Sequence, residues 1–193
     1  FSVSPDGRLL AYAVSHGGSD WQHLRVRDLH TLSDLDRPDV VAKFSSPVWL
    51  PDGRSFLYTT FDEAAGAGAA HPGGPPQTAL GVARLMVHRL DGEDELLVSF
   101  PDEPDTLAFG QRTHDGRWLV VSIVVGTESV NRLWAYPILD SGGRSTLGDP
   151  VRVVDERTAE FTFVRVDGEV LYLHTDLDAP LGRVVAVDLA WAA

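Results

Sequence analysis

The sequence predicts an all-β protein, a β-propeller fragment of about four consecutive four-stranded blades with no helical domain. Three observations carry this. The first is a repeat. Ser4-Pro5-Asp6-Gly7-Arg8-Leu9-Leu10-Ala11-Tyr12 returns as Leu50-Pro51-Asp52-Gly53-Arg54-Ser55-Phe56-Leu57-Tyr58. It returns again as His114-Asp115-Gly116-Arg117-Trp118-Leu119-Val120 and as Val166-Asp167-Gly168-Glu169-Val170-Leu171-Tyr172. Each copy reads as an Asp-Gly turn entering an apolar strand. Asp-Gly suits a two-residue hairpin turn, since glycine accepts positive φ without a steric penalty. The second is spacing. From turn glycine to the centre of the third strand is about 18 residues for Gly7 to Arg25, Gly116 to Trp134 and Gly168 to Ala186. It is about 33 for Gly53 to Met86, and one insertion of about 15 residues accounts for the surplus. The third is the want of any capping box followed by a sustained helical apolar period. Four strands per unit at this length make propeller blades. A two-sheet sandwich is the runner-up fold, but it does not predict a fourfold turn repeat.

The elements follow in order. The first blade covers residues 1–41. Phe1 to Ser4 ends a strand, and Leu9 to Ser15 forms the next, apolar or small on both faces, as in a sheet covered on both sides. Leu24 to Leu29 alternates apolar and charged, so one face is wet. Val40-Val41 starts a short edge strand. The second blade covers residues 42–100, with strands leading to Trp49, then Phe56 to Phe61, Arg84 to Leu90 and Glu95 to Phe100. Its insertion, residues 62–81, is rich in glycine and proline and reads as a flexible loop. The acidic run Asp91 to Glu95 reads as a solvated hairpin end.

The third blade covers residues 105–156. Its strands are Leu107 to Arg112, Trp118 to Val124, Arg132 to Ile138 and Val151 to Val154. The fourth covers residues 160–189, with strands at Phe161 to Val164, Val170 to Thr175 and Arg183 to Leu189, and no fourth strand. Trp21, Trp49, Trp118 and Trp134 read as packing between blades.

Composition excludes several functions. Net charge is −12, which argues against nucleic acid as a partner. No cysteine is present, so disulfides and thiol chemistry are absent. No apolar run approaches a membrane span. None of the seven histidines shows metal-ligand spacing, and no Gly-x-Ser-x-Gly elbow or phosphate-cradling glycine loop exists. Lysine occurs once, at Lys43, while arginine supplies the other basic residues.

Several stretches in order carry a family resemblance. They are Ser4-Pro5-Asp6-Gly7, Gly18-Ser19-Asp20-Trp21, Lys43-Phe44-Ser45 and Phe100-Pro101-Asp102-Glu103-Pro104. Val130-Asn131-Arg132-Leu133-Trp134 and Thr175-Asp176-Leu177-Asp178-Ala179-Pro180 complete the set. Over nearly the whole chain this resembles the propeller domain of the prolyl oligopeptidase family, serine peptidases that cut short peptides after proline. The resemblance implies a seven-bladed propeller capping an α/β-hydrolase domain that holds the Ser-Asp-His triad. About four blades are here and the triad is not, so this chain alone is expected to be inactive. Phe1 begins inside a repeat, and the chain reads as a piece of a longer enzyme.

The resemblance also implies roles. Phe44 matches an aromatic in the apolar pocket for the third residue before the scissile bond. Leu107 falls where a methionine can occur in that pocket, and Thr127 where a cysteine can occur, giving a more polar wall. Val124 replaces an arginine that contacts longer peptides. Asp20 matches an interdomain aspartate that orients a substrate-binding arginine of the other domain. The loop at 62–81 matches one that gates the active site. The implied partners are short proline-containing peptides and the α/β-hydrolase domain of the same parent chain, with no cofactor, metal, nucleic acid or membrane. A cytoplasmic location is expected, with secreted or periplasmic placement open. The alternatives are a stand-alone propeller that binds a protein or peptide, and the propeller of a related oligopeptidase B or dipeptidyl peptidase.

Overall fold

The computed structural model describes residues 1–35, 40–62, 81–103 and 105–190. Every regular element among them is a strand, so none of them forms a helix long and apolar enough to cross a membrane. The first sheet contains β1 (Ser2–Val3), β2 (Leu9–Ser15), β3 (Trp21–Asp28), β4 (Ser33–Asp34) and β5 (Val40–Lys43). The second contains β6 (Val48–Trp49), β7 (Ser55–Phe61), β8 (Ala83–Arg89) and β9 (Glu95–Ser99). The third contains β10 (Thr106–Arg112), β11 (Trp118–Val125), β12 (Asn131–Asp140), β13 (Ser145–Leu147) and β14 (Val151–Val154). The fourth contains β15 (Phe161–Asp167), β16 (Val170–Thr175) and β17 (Arg183–Asp188).

Within each sheet the strands run antiparallel and pair in chain order. In the first and third sheets the fourth position is split. β4 and β5 both pair with β3, at opposite ends of it, and β13 and β14 do the same with β12. Across sheets, β1 lies beside β6, and β6 beside β10. The first strands of the first three sheets therefore cluster, and those sheets radiate from them as blades, with β15 of the fourth lying beside β12.

Each joint between blades is an apolar core. Ala11, Leu24 and Val26 of the first blade meet Trp49, Phe56 and Tyr58 of the second. Leu57, Leu85 and Val87 meet Leu119, Val121 and Ile123 of the third. Trp118, Val120 and Leu133 meet Phe161, Leu171 and Leu173 of the fourth. Strands covered on both faces must be apolar on both, which is why β7 and β11 hardly alternate. Trp49, Trp118 and Trp134 pack in these joints. Trp21 opens β3 at the sheet end and is 38% exposed, with its ring edge-on to Phe61 of the second blade.

Three of the four Asp-Gly turns differ from the two-residue form. In the first, Gly7 N–H closes a four-residue turn on the Ser4 carbonyl at 2.9 Å, and Gly7 follows at φ 75°. This is the pattern of a type I turn with a glycine bulge. The aspartate fixes it. Asp6 Oδ1 accepts from Ser4 Oγ at 2.6 Å and from the Arg8 amide at 3.1 Å. The hydroxyl of Ser4 holds the Asp6 carboxyl below its ordinary pKa. Asp115 repeats this with Thr113 and Arg117. Asp52 instead binds the Arg54 and Ser55 amides. Only Gly168-Glu169 is a two-residue loop, with Asp167 paired to Val170.

These turns form one rim. Gly53 lies against Asp6, Gly116 against Pro51, and Arg117 reaches Glu169 of the next turn. Polar links stitch the joints further. Trp49 Nε1 donates to the Ser2 carbonyl at 2.9 Å. Asp52 Oδ2 accepts from the Ser145 amide at 2.9 Å, and Ser145 Oγ accepts from the Asp52 amide at 3.0 Å. Asn131 Oδ1 accepts from the Phe161 amide at 2.7 Å, while its Nδ2 donates to the Phe161 carbonyl at 3.0 Å.

The acidic hairpin end is exposed, as expected, and two of its carboxylates also have fixed partners. Asp94 accepts from Tyr58 Oη at 2.6 Å and meets His88 Nδ1 at 2.7 Å. Burial pushes the Asp94 carboxyl up, but its bonds to His88 and Tyr58 outweigh that and hold it low. Burial, aided by Asp94, also pushes the Tyr58 phenol well up. Glu95 is held low by its bidentate pairing with Arg89. Both carboxyls sit below their ordinary values of 3.8 and 4.5 when folded. Their stabilisation is then present above those values and is lost as pH falls through the folded ones. The urea midpoint of the propeller should hold between about pH 7 and 5 and fall below about pH 4.5, with a shallower fall in Asp94→Asn. A midpoint unchanged down to about pH 3 would contradict this account.

Candidate functional site

The repeat places the Asp-Gly turns at one end of every blade. The second strands then run to the opposite end, where β2 stops at Ser15, β7 at Phe61 and β11 at Val125. The connections that follow differ in each blade. One is the turn holding Asp20, one is the insertion, and one holds Thr127. The insertion assigned to 62–81 falls almost wholly outside the described residues.

Phe44 arrives at the same end, because Lys43 closes β5 opposite Trp21. Phe44 adopts φ 51°, a left-handed conformation uncommon for a bulky side chain and costing about 1–2 kcal/mol. It is 46% exposed. Its ring meets Phe61 edge-on at 6.1 Å, and Phe61 meets Trp21 edge-on at 6.4 Å. Lys43 is 3% exposed, with Nζ 3.7 Å from Asp20 Oδ2.

A cavity of about 850 Å³ opens here, lined by Phe44, Phe61, Leu107, Phe109, Val125 and Thr127. Its size falls within the usual range of small-molecule and peptide pockets. Three of the sequence-predicted residues, Phe44, Leu107 and Thr127, thus share one cavity although they are far apart in the chain. Leu107 is half-buried in β10, and Thr127 is exposed in the turn after β11. Val124 pairs with Leu107 but lies outside the lining, where its neighbour Val125 stands. Asp20 faces a second cavity of about 480 Å³, with Gln22, Ser45 and Tyr58. Phe44 and Phe109 line both cavities, so they form the shared wall.

The sequence reading missed Phe61, Phe109 and Glu103 as lining residues. Phe61 was visible as the last strand residue before the insertion. Phe109 faces outward by strand alternation from Ala108, which is in the core. Glu103 had no local signal. It is set by a bidentate pair with Arg132, at 3.0 and 2.7 Å, and that guanidinium stacks 4.7 Å over Phe100.

The site offers apolar walls and a polar rim, which is binding chemistry. No group of three His, Cys, Asp or Glu able to hold a metal occurs among the described residues. Ser45 Oγ, beside the smaller cavity, accepts from the Thr59 amide at 2.8 Å, whereas Thr106 Oγ1 in the wall of the larger one is buried without a hydrogen-bond partner among the described residues.

Comparison with known proteins follows the same lines. The profile of the family described as prolyl oligopeptidase, N-terminal beta-propeller domain, matches residues 1–193. The chain is 28% identical over 200 residues to the dual function macrocyclase-peptidase POPB of Galerina marginata, covering 97% of this chain and 26% of that protein. It is 30% identical over 187 residues to the prolyl endopeptidase of Elizabethkingia miricola, covering 95% of this chain and 24% of that one. The structure of prolyl oligopeptidase B from Galerina marginata bound to a 25mer macrocyclization substrate matches with a TM-score of 0.83 at 25% identity. That match covers 98% of this chain and 27% of the other. The chain spans about a quarter of the length of the curated relatives it matches.

Proposed function

This chain belongs to the prolyl oligopeptidase N-terminal β-propeller domain family, and from that premise we propose that it lines and gates the substrate cavity of a serine endopeptidase that cleaves short peptides after proline. Its partners in this reading are proline-containing peptides and an α/β-hydrolase domain of the same parent chain, which supplies the triad. The single observation behind the pocket role is that Phe44, Leu107 and Thr127 line one cavity. An apolar side chain three residues before the scissile bond would displace water from Phe44 and Leu107. Asp20, half-exposed at the same end, is the group offered to the neighbouring domain. The gating part rests on the family resemblance of the loop at 62–81.

Phe44→Ala in the full-length protein tests the pocket. A half-exposed phenylalanine that becomes covered by a ligand contributes on the order of 1.5 kcal/mol, or about tenfold in affinity. KM for peptides with leucine or phenylalanine three residues before the cleaved bond should rise about tenfold. Because such binding is shared by ground and transition states, kcat should stay. Peptides with glycine there should change little. Equal effects on both peptide classes would remove Phe44 from the pocket. The polypeptide of 193 residues should hydrolyse neither class, while the full-length product should cleave both and be blocked by serine-directed inhibitors.

A further inference from the structure

The sole lysine of this chain is buried at the edge of the pocket, and the function as read so far makes no use of it. We infer that Lys43 is a positioning residue: its ammonium holds the Phe44 ring in place and ties it to the turn that carries Asp20. The inference rests on the pocket reading above only for its consequence in substrate choice.

The geometry is specific. Nζ of Lys43 lies 5.0 Å from the Phe44 ring centroid and 5.5 Å from that of Trp21. Both distances fall inside the range where a cation is drawn to an aromatic face. Asp20 Oδ2 supplies the counter-charge at 3.7 Å. A lysine 3% exposed has lost nearly all its water, so these three groups must replace that solvation. Desolvated cation–π contacts are the strong ones.

Phe44 needs such a hold. Its backbone is left-handed, and residues held in that region persist only when their surroundings over-determine them. Its ring is half-exposed, touched by Phe61 on one edge and by Lys43 on its face. Removing the ammonium removes the cation held 5.0 Å from the ring centroid and with it that attraction. Lysine also differs from arginine here. A compact ammonium on a thin stem fits between two rings and one carboxylate, whereas a planar guanidinium needs a wider slot.

The test uses Lys43→Met in the full-length protein, a change that keeps length and apolar volume but removes the charge. Lys43→Arg is the conservative companion. Preference for a large apolar residue over glycine three residues before the cleaved bond should fall about five- to tenfold in Lys43→Met, through KM. Lys43→Arg should recover part of it. In a Phe44→Ala background, Lys43→Met should have no further effect on that preference, because the lysine acts through the ring. A merely structural role would lower activity in both backgrounds and on both peptides alike. A crystal structure of Lys43→Met gives a second readout, with Phe44 expected to leave the left-handed region or its ring to turn. Unchanged preference with Phe44 unmoved overturns the inference. If the wild-type protein shows no preference at this position, the pocket reading fails, and the conformation of Phe44 in Lys43→Met alone decides the positioning role.

Discussion

Replacing Arg89 with alanine should lower the unfolding free energy of the propeller by about 3–5 kcal/mol, the cost of removing one partner from a buried ionic network. Arg89 is 2% exposed at the end of β8. Its guanidinium donates to Ser55 Oγ at 2.8 Å and to the Ser145 carbonyl at 2.7 Å. It pairs with both oxygens of Glu95 and lies 3.9 Å from Asp52 Oδ2, on a carboxylate as buried as itself. Removing it takes the cation 3.9 Å from Asp52, which keeps only its amide and hydroxyl donors, and frees the carbonyl of β13. Lysine would keep the charge but not the fork, so Arg89→Lys should lose most of the same stability. A urea titration of the full-length protein, read by a probe in the propeller, measures both. A loss under about 1 kcal/mol would mean that the network contributes nothing net, as some buried ion pairs do.

Asn131→Leu should cost about 2–4 kcal/mol, by leaving two buried backbone groups of Phe161 without these partners. Asn131 is 2% exposed and bridges β12 to β15, binding both the amide and the carbonyl of Phe161 as a backbone strand would. Its amide also donates to Ser122 Oγ at 3.0 Å. Leucine fills the same space but offers neither donor nor acceptor. Hydrogen exchange gives the local reading, since the Phe161 amide should exchange faster in the variant than neighbouring amides of β16. Unaltered protection at Phe161 would show that water or another group already serves it.

The blades were legible because their cause is local and repeated. Asp-Gly turns, strand-length apolar runs and the displaced spacing at Gly53 all lie in the linear sequence. The turn geometry was legible in part. A hydroxyl two residues before the aspartate accompanies the bulged form at Ser4 and Asp6 and at Thr113 and Asp115, but Leu50 before Asp52 carries none and its turn closes in the same way. The short strands β4 and β13 left no signal. Ser33-Asp34 and Ser145-Thr146-Leu147 are too short and polar for periodicity, and their pairing is secured by distant partners, Arg27 at Asp34 and Asp52 at Ser145. The partners of Asp94 and Glu95 were hidden for the same reason, since His88, Tyr58 and Arg89 reach them only after β7, β8 and β9 have paired. Of the site, single residues were placed by resemblance, but the shared wall of Phe44 and Phe109 exists only once two blades stand side by side.

The row of linked turns has a consequence for how such a protein can change. One rim is tied from unit to unit, so an added residue there would shift the registry of two neighbours at once. The connectors at the other rim already differ in length. Evolution or an engineer can therefore rewrite the face that carries the cavities while the frame keeps its pitch. Grafts between Ser15 and Trp21 or between Val125 and Asn131 should be absorbed where grafts at Asp52 would not.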